Sequence, residues 1–287
     1  MAVDILSTIQ HKMDSFSKGQ KRIASYITSS YDKAAFMTAN KLGKMVSVSE
    51  STVVRFAVEL GFDGYPSMQK ALQDMVRNKL TSVQRIEVAN DRLGSQDVVS
   101  MVLQADLESI RKTGESLDRA VLDRAVEAIL RAKHIYIVGV RSSAAIATFM
   151  SFYFRNIFDN VHLIDPSATS EMLEQMLHVS EEDVVIGISL PRYSSRTVKV
   201  LDFARDSGAQ IVVITDSKDA PAAKRAHHTL VAISEMVSVV DSLVAPMSIV
   251  NALIVAIGRR KEHEFSRVFQ NLERIWEEYE VYERIEG

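Results

Sequence analysis

Between about Lys133 and Gly258, short apolar runs alternate with helical patterns, and this alternation constrains the fold more than any other feature. Each apolar run is long enough for only one strand; the runs lie at 134–139, 160–164, 183–189, 210–215 and 228–233. Strands separated by helices pair in parallel, and strands that are apolar throughout are covered on both faces. The pattern therefore predicts an α/β fold, with a three-layer domain built on a parallel five-stranded sheet.

The rest of the chain divides into segments of different character. Residues 1–80 have helical periodicity throughout, whereas 81–97 have little periodicity and contain the turn-like run 90–95. Two further helical patterns precede the first strand, and a charged helical segment with an apolar stripe follows Arg259. We therefore predict an all-helical domain at 1–80, a linker at 81–97, the α/β domain at 98–258 and a helical extension at 259–287 suited to packing or assembly.

Charge and composition limit the partners and chemistry. Residues 1–80 carry a net charge of +4, whereas the whole chain carries −3. A basic helical domain on an acidic body suggests an anionic polymer as partner. The absence of cysteine excludes disulfides, thiolate metal sites and cysteine nucleophiles, and fits a cytoplasmic location. We find no spaced metal-ligand cluster and no nucleotide-binding loop, so we predict neither a metal nor a cofactor.

No segment has the pattern of a membrane span or a signal peptide. The most apolar run, 243–257, is interrupted by Pro246 and Asn251 and is shorter than the roughly 20 residues that a span needs. Asp4, His11 and Lys12 interrupt the N-terminal segment. We interpret the apolar run as part of a buried helix extending from Val239 to Ile257, and predict no membrane partner.

Residues 38–57 have the spacing of a helix-turn-helix. Gly43 lies where two helices would cross closely, and the polar turn 47–49 separates them. The second helix is predicted to bury Val53, Val54 and Val58, leaving three polar side chains exposed: Ser51, Thr52 and Arg55. In such a unit the start of the second helix enters the DNA major groove. The alternative is a helical oligomerisation domain with solvated lysines.

The DNA-binding interpretation assigns two kinds of contact. Short hydroxyls and an arginine at the start of the second helix reach base edges or phosphates, which assigns Ser49, Ser51, Thr52 and Arg55. Basic side chains nearby contact phosphates and set the register, which assigns Lys18, Lys21, Arg22, Lys41 and Lys44. The predicted partner is a double-stranded DNA operator.

The run from Lys18 to about Val76 resembles the N-terminal DNA-binding domain of RpiR-type bacterial transcription regulators. A serine-rich turn, T-V-x-R-F, L-G-F and G-Y-x-S-[FM] occur in that order within SVSESTVVRFAVELGFDGYPSMQKAL. This combination is more specific than a general helix-turn-helix pattern. The resemblance implies a regulator that binds a palindromic operator as a dimer or tetramer.

Two hydroxyl-rich segments lie where a predicted strand meets a predicted helix. The first contains Arg141, Ser142 and Ser143; the second contains Ser189, Arg192, Ser194, Ser195 and Thr197. Helix N-termini attract anions, and open α/β sheets bind ligands at the carboxyl ends of their strands. The alternative for each segment is ordinary helix capping by Ser or Thr.

These segments resemble the two loops of the SIS (sugar isomerase) domain. The family's first loop, G-x-G-x-S-x-x-x-A, is matched by Gly139, Ser143 and Ala147, with Arg141 in place of the second Gly. Its second loop, S-x-S-G-x-T, is matched by Ser194 and Thr197, with Ser195 in place of Gly. The resemblance implies that Ser143, Ser194, Ser195 and Thr197 surround a phosphate.

The effector implied is a phosphorylated sugar or a sugar acid. Arg141 and Arg192 would add positive charge to a phosphate or a carboxylate; the alternative for each is a surface ion pair. An isomerase would need an acid–base pair, for which the candidates are Glu235, His227, His228 and His178. None lies in a recognisable constellation, so we predict binding without turnover.

We therefore predict a transcription regulator of carbohydrate-metabolism genes whose operator binding responds to a phosphosugar-type effector. One alternative is a sugar-phosphate isomerase with an N-terminal assembly domain. The other is a regulator whose SIS domain serves only in oligomerisation.

Overall fold

The computed structural model describes residues 5–79, 81–93, 97–236 and 240–283. The chain divides into two compact units, Met1–Val102 with Met236–Asp241, and Leu103–Glu235 with Ser242–Gly287. Residues 94–96 of the predicted linker and Val239 lie outside the described residues. The predicted start of the long apolar helix at Val239 is wrong, because residues 240–243 are not helical and the helix begins at Val244.

The first unit is helical, as predicted. Its helices are α1 (Ile5–Lys12), α2 (Lys18–Ser29), α3 (Tyr31–Ala34), α4 (Ala39–Met45), α5 (Glu50–Glu59), α6 (Tyr65–Lys79) and α7 (Ser82–Leu93). Side-chain caps begin several of them: Ser17 forms a capping box with Gln20, Thr38 caps α4 and Ser49 caps α5. One apolar cluster joins helices α1 to α6 and includes Ile23, Ile27, Leu42, Phe56 and Leu72.

Helix α7 occupies most of the segment that the sequence predicts to be a linker with a turn at 90–95. The prediction of a turn is wrong as far as Leu93, because the helix continues to that residue. The inward positions of α7 include Arg85 and Ala89, both almost fully buried. An arginine at a buried position weakens the apolar periodicity from which amphipathic helices are predicted.

The second unit contains the predicted sheet. Its elements continue with α8 (Val98–Ser116, which begins in the first unit), α9 (Arg119–Arg131), β1 (Ile135–Gly139), α10 (Ser143–Ile157), β2 (Val161–Leu163), α11 (Thr169–Glu174), β3 (Val184–Ile188), α12 (Ser195–Asp206), β4 (Gln210–Thr215), β5 (His228–Val231), α13 (Val244–Arg260) and α14 (Glu262–Glu278). In the described chain, the five strands pair in parallel in the order β2-β1-β3-β4-β5.

Apolar clusters cover both faces of the sheet. Ile135 and Ile137 of β1 face a cluster that includes side chains of α9, α10 and α13, whereas Tyr136 and Val138 face one that includes side chains of α11 and α12. The three-layer α/β prediction is therefore confirmed. From β1 the sheet extends to β2 on one side, and from β3 it extends to β4 and β5 on the other side. In open α/β sheets the ligand usually binds at the carboxyl ends of the two neighbouring strands between which this direction changes.

Candidate functional site

Helices α4 and α5 form the predicted helix-turn-helix. The Val48 amide donates a 2.9 Å hydrogen bond to the Gly43 carbonyl, and Ser47 has the left-handed φ of 55°. A Cβ on Gly43 would lie only 2.8 Å from the carbonyl oxygen of Val48. Gly43 is therefore required for the close approach of the turn to α4.

The start of α5 carries a cluster of hydroxyls. Ser49 Oγ accepts a 3.3 Å hydrogen bond from the Thr52 amide and lies 2.9 Å from Ser51 Oγ and 2.8 Å from Thr52 Oγ1. Ser51 is exposed and Thr52 half-buried. Arg55 is also exposed, and its Nε donates a 3.4 Å hydrogen bond to the Ser51 carbonyl. The Arg55 guanidinium thus lies beside the hydroxyl cluster at the N-terminal end of α5, the end that is predicted to enter the DNA major groove.

The predicted inward face of α5 is only partly correct. Val53 is buried, but Val54 and Val58 are 38% and 55% exposed. The buried positions besides Val53 are Phe56, Ala57 and Leu60. The helix is therefore rotated so that Val54 and Val58 share the solvent side with Ser51 and Arg55.

The predicted phosphate-contacting residues lie on α2 and α4. Lys41 and Lys44 are exposed on α4, and Lys18, Lys21 and Arg22 are exposed on α2. The three α2 residues line an open groove of about 850 Å³ whose other wall includes Met45, Val46 and Ser47 of the helix-turn-helix. This groove brings basic side chains of α2 against the turn, a proximity that sequence spacing alone does not reveal.

The junction after β1 is a tight turn that leads directly into α10. Arg141 has a φ of 61°, which explains why the SIS pattern has glycine at its position. A Cβ on Gly139 would lie 2.5 Å from the Ser143 carbonyl oxygen, so the turn closes directly onto α10. Arg141 and Ser142 are exposed and Ser143 is buried.

The junction after β3 is built in the same way. Arg192 has a φ of 58° and is exposed, whereas Ser189 and Thr197 are buried. Ser194 is half-buried and Ser195 exposed at the start of α12. Because β1 and β3 are adjacent and parallel, both junctions lie at the same edge of the sheet.

Several polar groups at these junctions lack a protein partner. Ser142 and Ser194 precede α10 and α12 without a side-chain cap hydrogen bond within the described structure, so ordinary capping does not account for them. Ser189 Oγ and Thr197 Oγ1 are buried and have no hydrogen-bond partner among the described residues. Helix N-termini and hydroxyls of this kind can donate hydrogen bonds to an anionic ligand.

Three residues that shape this edge were not predicted from the sequence. Tyr193 Oη donates a 2.9 Å hydrogen bond to Asp216 Oδ1, which joins the second junction to the end of β4. Arg196 donates to the carbonyls of Pro166 and Ser167, at 3.2 and 2.6 Å, and joins α12 to the loop after β2. The sequence signal that could have identified Asp216 is its position directly after a predicted strand.

The acid–base candidates do not converge on this edge. His228 begins β5, so His227 and His228 lie at the amino ends of the strands, and His178 is exposed before β3. The Ile211 amide donates to His227 Nδ1 at 2.9 Å. Glu235 follows β5 but pairs with Lys112 at 2.8 Å. The described residues therefore supply no acid–base pair from this set beside Ser189 and Thr197.

Some of the titratable groups with shifted pKa values lie at the opposite edge of the sheet. Burial raises the pKa of Asp183, but hydrogen bonds from His134 and Ser180 outweigh burial, and the net pKa is lowered. Burial and the charge of His134 lower the pKa of His162. The His162 ring stacks on the Tyr136 ring, with 4.9 Å between the ring centroids. These groups connect the starts of β1, β2 and β3 and are structural.

Metal-binding and membrane-spanning features are absent from the part of the chain that the structure describes. There, no three or more His, Asp or Glu side chains lie together in a geometry suited to a metal ion. The helices of the same residues include none with the length and apolarity to cross a membrane.

Two family models match the chain. Residues 3–79 match the helix-turn-helix domain of the rpiR family, and residues 128–256 match the SIS domain. Together they include both candidate sites, and outside them lie the segment between 79 and 128, the residues after 256 and the first two residues.

Curated relatives are transcription regulators. The chain is 26% identical over 215 residues to the HTH-type transcriptional regulator HexR of Pseudomonas aeruginosa, covering 74% of this chain and 73% of HexR. It is 25% identical over 228 residues to an uncharacterized HTH-type transcriptional regulator of Clostridium perfringens, covering 79% of this chain and 80% of that protein.

Solved structures share the fold. The sugar isomerase domain of an RpiR transcription factor from Sphaerobacter thermophilus is 28% identical, with a TM-score of 0.58 over 61% of this chain and 97% of that one. The Vibrio vulnificus NanR protein complexed with ManNAc-6P is 20% identical, with a TM-score of 0.59 over 95% of this chain and 98% of that one.

Proposed function

The chain belongs to the RpiR-type transcription regulators, which join this helix-turn-helix domain to a SIS domain, and from this premise we propose how it works. The protein binds a two-fold symmetric operator near genes of carbohydrate metabolism, as a dimer or a larger assembly. Binding of a phosphorylated sugar or a sugar acid to the SIS domain changes its operator affinity. The protein acts in the cytoplasm and binds its effector without converting it.

The arrangement around α5 supports the DNA-binding part of this proposal. Ser51 at the start of α5 and Arg55 one turn later are both exposed, and the α2 groove adds Lys18, Lys21 and Arg22. In a helix-turn-helix the start of the second helix reads base edges while flanking cations contact phosphates. Arg55 is assigned a bidentate contact to guanine, and Ser49, Ser51 and Thr52 contacts to bases or phosphates. Lys41 and Lys44 are assigned to the DNA backbone.

The unbonded hydroxyls of Ser189 and Thr197 carry the effector part. A buried hydroxyl without a partner costs free energy, and a hydrogen bond to a ligand would remove that cost. We assign Ser143, Ser194, Ser195 and Thr197 to the phosphate and Ser142 and Ser189 to nearby oxygens. The exposed guanidiniums of Arg141 and Arg192 are assigned to a phosphate or a sugar-acid carboxylate. A relative in fold, NanR, was solved with ManNAc-6P.

Regulation requires that the effector bind the DNA-competent and DNA-incompetent states with different affinity. A coupling free energy of about 1–3 kcal/mol would change operator affinity about 5–150-fold. We place the domain boundaries as the sequence suggested, with a helical DNA-binding domain at 1–80, a connecting segment at 81–97, the SIS domain at 98–258 and an extension at 259–287. Within this segment, α7 packs into the first unit through Arg85 and Ala89, so we expect α7 to move together with that unit.

The test of DNA binding is genomic footprinting with purified protein, with and without a mixture of sugar phosphates. We expect discrete palindromic sites whose occupancy changes when the mixture is added. Arg55→Ala should abolish those sites and leave the fold intact, whereas Lys70→Ala, an exposed cation on α6, should leave them unchanged. Absence of discrete sites in both conditions would refute the proposal.

The effector site has a separate test. Sugar phosphates that stabilise the wild-type protein in a thermal melt should not stabilise the double variant Ser143→Ala, Ser194→Ala. An unchanged ligand-induced shift would show that the pocket lies elsewhere. Interconversion of ketose and aldose phosphates by the wild-type protein would instead make it an isomerase.

A further inference from the structure

Helix α8 has its polar and apolar faces reversed relative to an ordinary surface helix. Ser109 and Thr113 are buried, and Asp106 is half-buried. On another face Leu103, Leu107 and Ile110 are 58%, 63% and 39% exposed. A surface helix normally turns its apolar stripe to the core, so the outward stripe indicates a surface that is covered in the functional assembly.

Specific hydrogen bonds hold α8 in this orientation. Thr113 Oγ1 accepts a 2.8 Å hydrogen bond from the Ile233 amide, and Asp106 accepts one from Ser242 Oγ. Ser109 Oγ donates to the Ala105 carbonyl of its own helix at 2.8 Å. Rotating the stripe inward would break the first two bonds and bury three large apolar side chains in their place.

We propose that the α8 stripe, defined as Leu103, Leu107, Ile110 and Gly114, pairs with the same stripe of a second copy of this chain. The inference deepens the proposed function and rests on it, because a two-fold symmetric operator requires two copies. It identifies the surface through which those copies associate.

The spacing within the stripe is symmetric, which favours a second copy over another partner. Steps of four, three and four residues separate its members, so an antiparallel two-fold places Leu103 opposite Gly114 and Leu107 opposite Ile110. A Cβ on Gly114 would meet nothing within 4 Å, so there is room beside its backbone for a leucine of the other copy. A large side chain thus meets a small one at both ends of the interface.

The charges beside the stripe are complementary under the same symmetry. In an antiparallel helix pair, the same flank of each helix faces the other. Arg111 then lies close to the level of Glu108 of the partner subunit, and the reciprocal pair forms as well. Within one chain, Arg111 is also 2.6 Å from Glu108, so the two reciprocal pairs would form a cluster of alternating charges beside the stripe.

The first test measures oligomeric state by sedimentation over a concentration series. Leu107→Glu should raise the dimer dissociation constant at least about 100-fold, because it buries a carboxylate against Ile110 of the partner subunit. The matched control is Leu177→Glu, which changes a 70% exposed leucine elsewhere in the second unit and should leave the dimer intact. A monomeric wild-type protein, or unchanged association of Leu107→Glu, would overturn the proposal.

The second test uses the natural absence of cysteine. Under oxidation the double variant Leu103→Cys, Gly114→Cys should form a disulfide-linked dimer. Each single variant should stay unlinked, because its two cysteines would lie about 16 Å apart along the helix pair. A linked dimer of either single variant, or none of the double variant, would overturn the antiparallel pairing. Neither test uses DNA. If footprinting finds no operator sites, the proposed function fails, but the results of these two tests still decide whether the α8 stripe forms the dimer.

Discussion

The guanidinium of Arg85 donates to both carboxylate oxygens of Asp241, at 3.0 and 2.9 Å, although the two residues are 156 positions apart. Arg85 is 1% exposed and lies on α7, and Asp241 belongs to the short segment Met236–Asp241 of the same compact unit. The Met236 side chain is also part of the apolar cluster of that unit. A segment encoded after the last strand of the sheet thus completes the helical unit.

Removing one partner of this pair should be costly. We expect Arg85→Ala to lower the free energy of unfolding by about 3 kcal/mol, because it leaves the Asp241 carboxylate without its buried counter-charge. The measurement is urea unfolding. The double variant Arg85→Met, Asp241→Leu should lose less than the sum of the two single changes. The exposed pair of Lys133 and Glu182 provides the control, since Lys133→Ala should cost less than about 1 kcal/mol.

A methyl group at the helix-turn-helix crossing should destabilise the first unit. We expect Gly43→Ala to cost about 1–3 kcal/mol, because the added Cβ would meet a backbone oxygen at 2.8 Å. Gly19→Ala, a helical glycine whose Cβ would make only ordinary contacts at 3.5 and 3.6 Å, should be neutral or stabilising. Thermal melts of both variants make the comparison, and equal melting temperatures would contradict the crowding argument.

The basic side chains that line the α2 groove should contribute equally to the affinity for every DNA sequence. We expect Lys21→Ala to weaken specific and non-specific DNA binding by similar factors, since an interaction with phosphate carries no base information. The slope of log affinity against log salt concentration should become shallower by about 0.9, because one fewer phosphate is neutralised. Fluorescence anisotropy across a salt series measures both quantities. A selective decrease in specific binding would indicate that Lys21 contacts a base.

The same substitution should have opposite effects at two buried threonines. Thr197→Val removes a hydroxyl without a partner in the described structure, so stability without ligand should be unchanged or higher, while stabilisation by a sugar phosphate disappears. Thr113→Val removes the acceptor of the Ile233 amide and should cost about 1–3 kcal/mol. Melting curves with and without ligand distinguish the two. Destabilisation by Thr197→Val would imply that its hydroxyl is satisfied in the free protein.

Low pH should reduce the stability of the protein by protonating Asp183, which accepts hydrogen bonds at the amino ends of β1 and β3. Its pKa is lowered in the folded protein, because the hydrogen bonds from His134 and Ser180 outweigh burial. The stabilisation is therefore complete above the unfolded-state pKa of about 4 and is lost as pH falls through the lower folded-state value. Asp183→Asn should cost about 2 kcal/mol at pH 7 and progressively less as the pH falls below 4. Urea midpoints across pH test this, with the exposed Asp206→Asn as control.

Much of the architecture could be predicted because its determinants are local in the chain. Apolar runs followed by helical patterns predict parallel strands, and the polar turn between two amphipathic segments predicts the helix-turn-helix. The hydroxyl-rich junctions could be placed at one edge of the sheet, because all carboxyl ends of a parallel sheet lie together. Local sequence patterns are therefore sufficient to predict these features.

Other features depended on contacts between distant residues. The sequence predicts a buried Val54 and Val58, yet the packing of α5 against the other helices turns Phe56 and Ala57 inward instead. Periodicity identifies an apolar stripe on a helix. It does not determine how the helix is rotated about its own axis, and this rotation decides which residues beside the stripe are buried.

The environments of Arg85 and of α8 depend on contacts that form only in the folded chain. A buried arginine is tolerated only because Asp241, remote in sequence, supplies its counter-charge. Helix α8 turns its polar face inward because Ile233 and Ser242 supply hydrogen bonds there. Hydrophobic burial acts on every apolar residue alike, whereas these specific polar partners exist only after the chain has folded, and they determine which surfaces remain exposed.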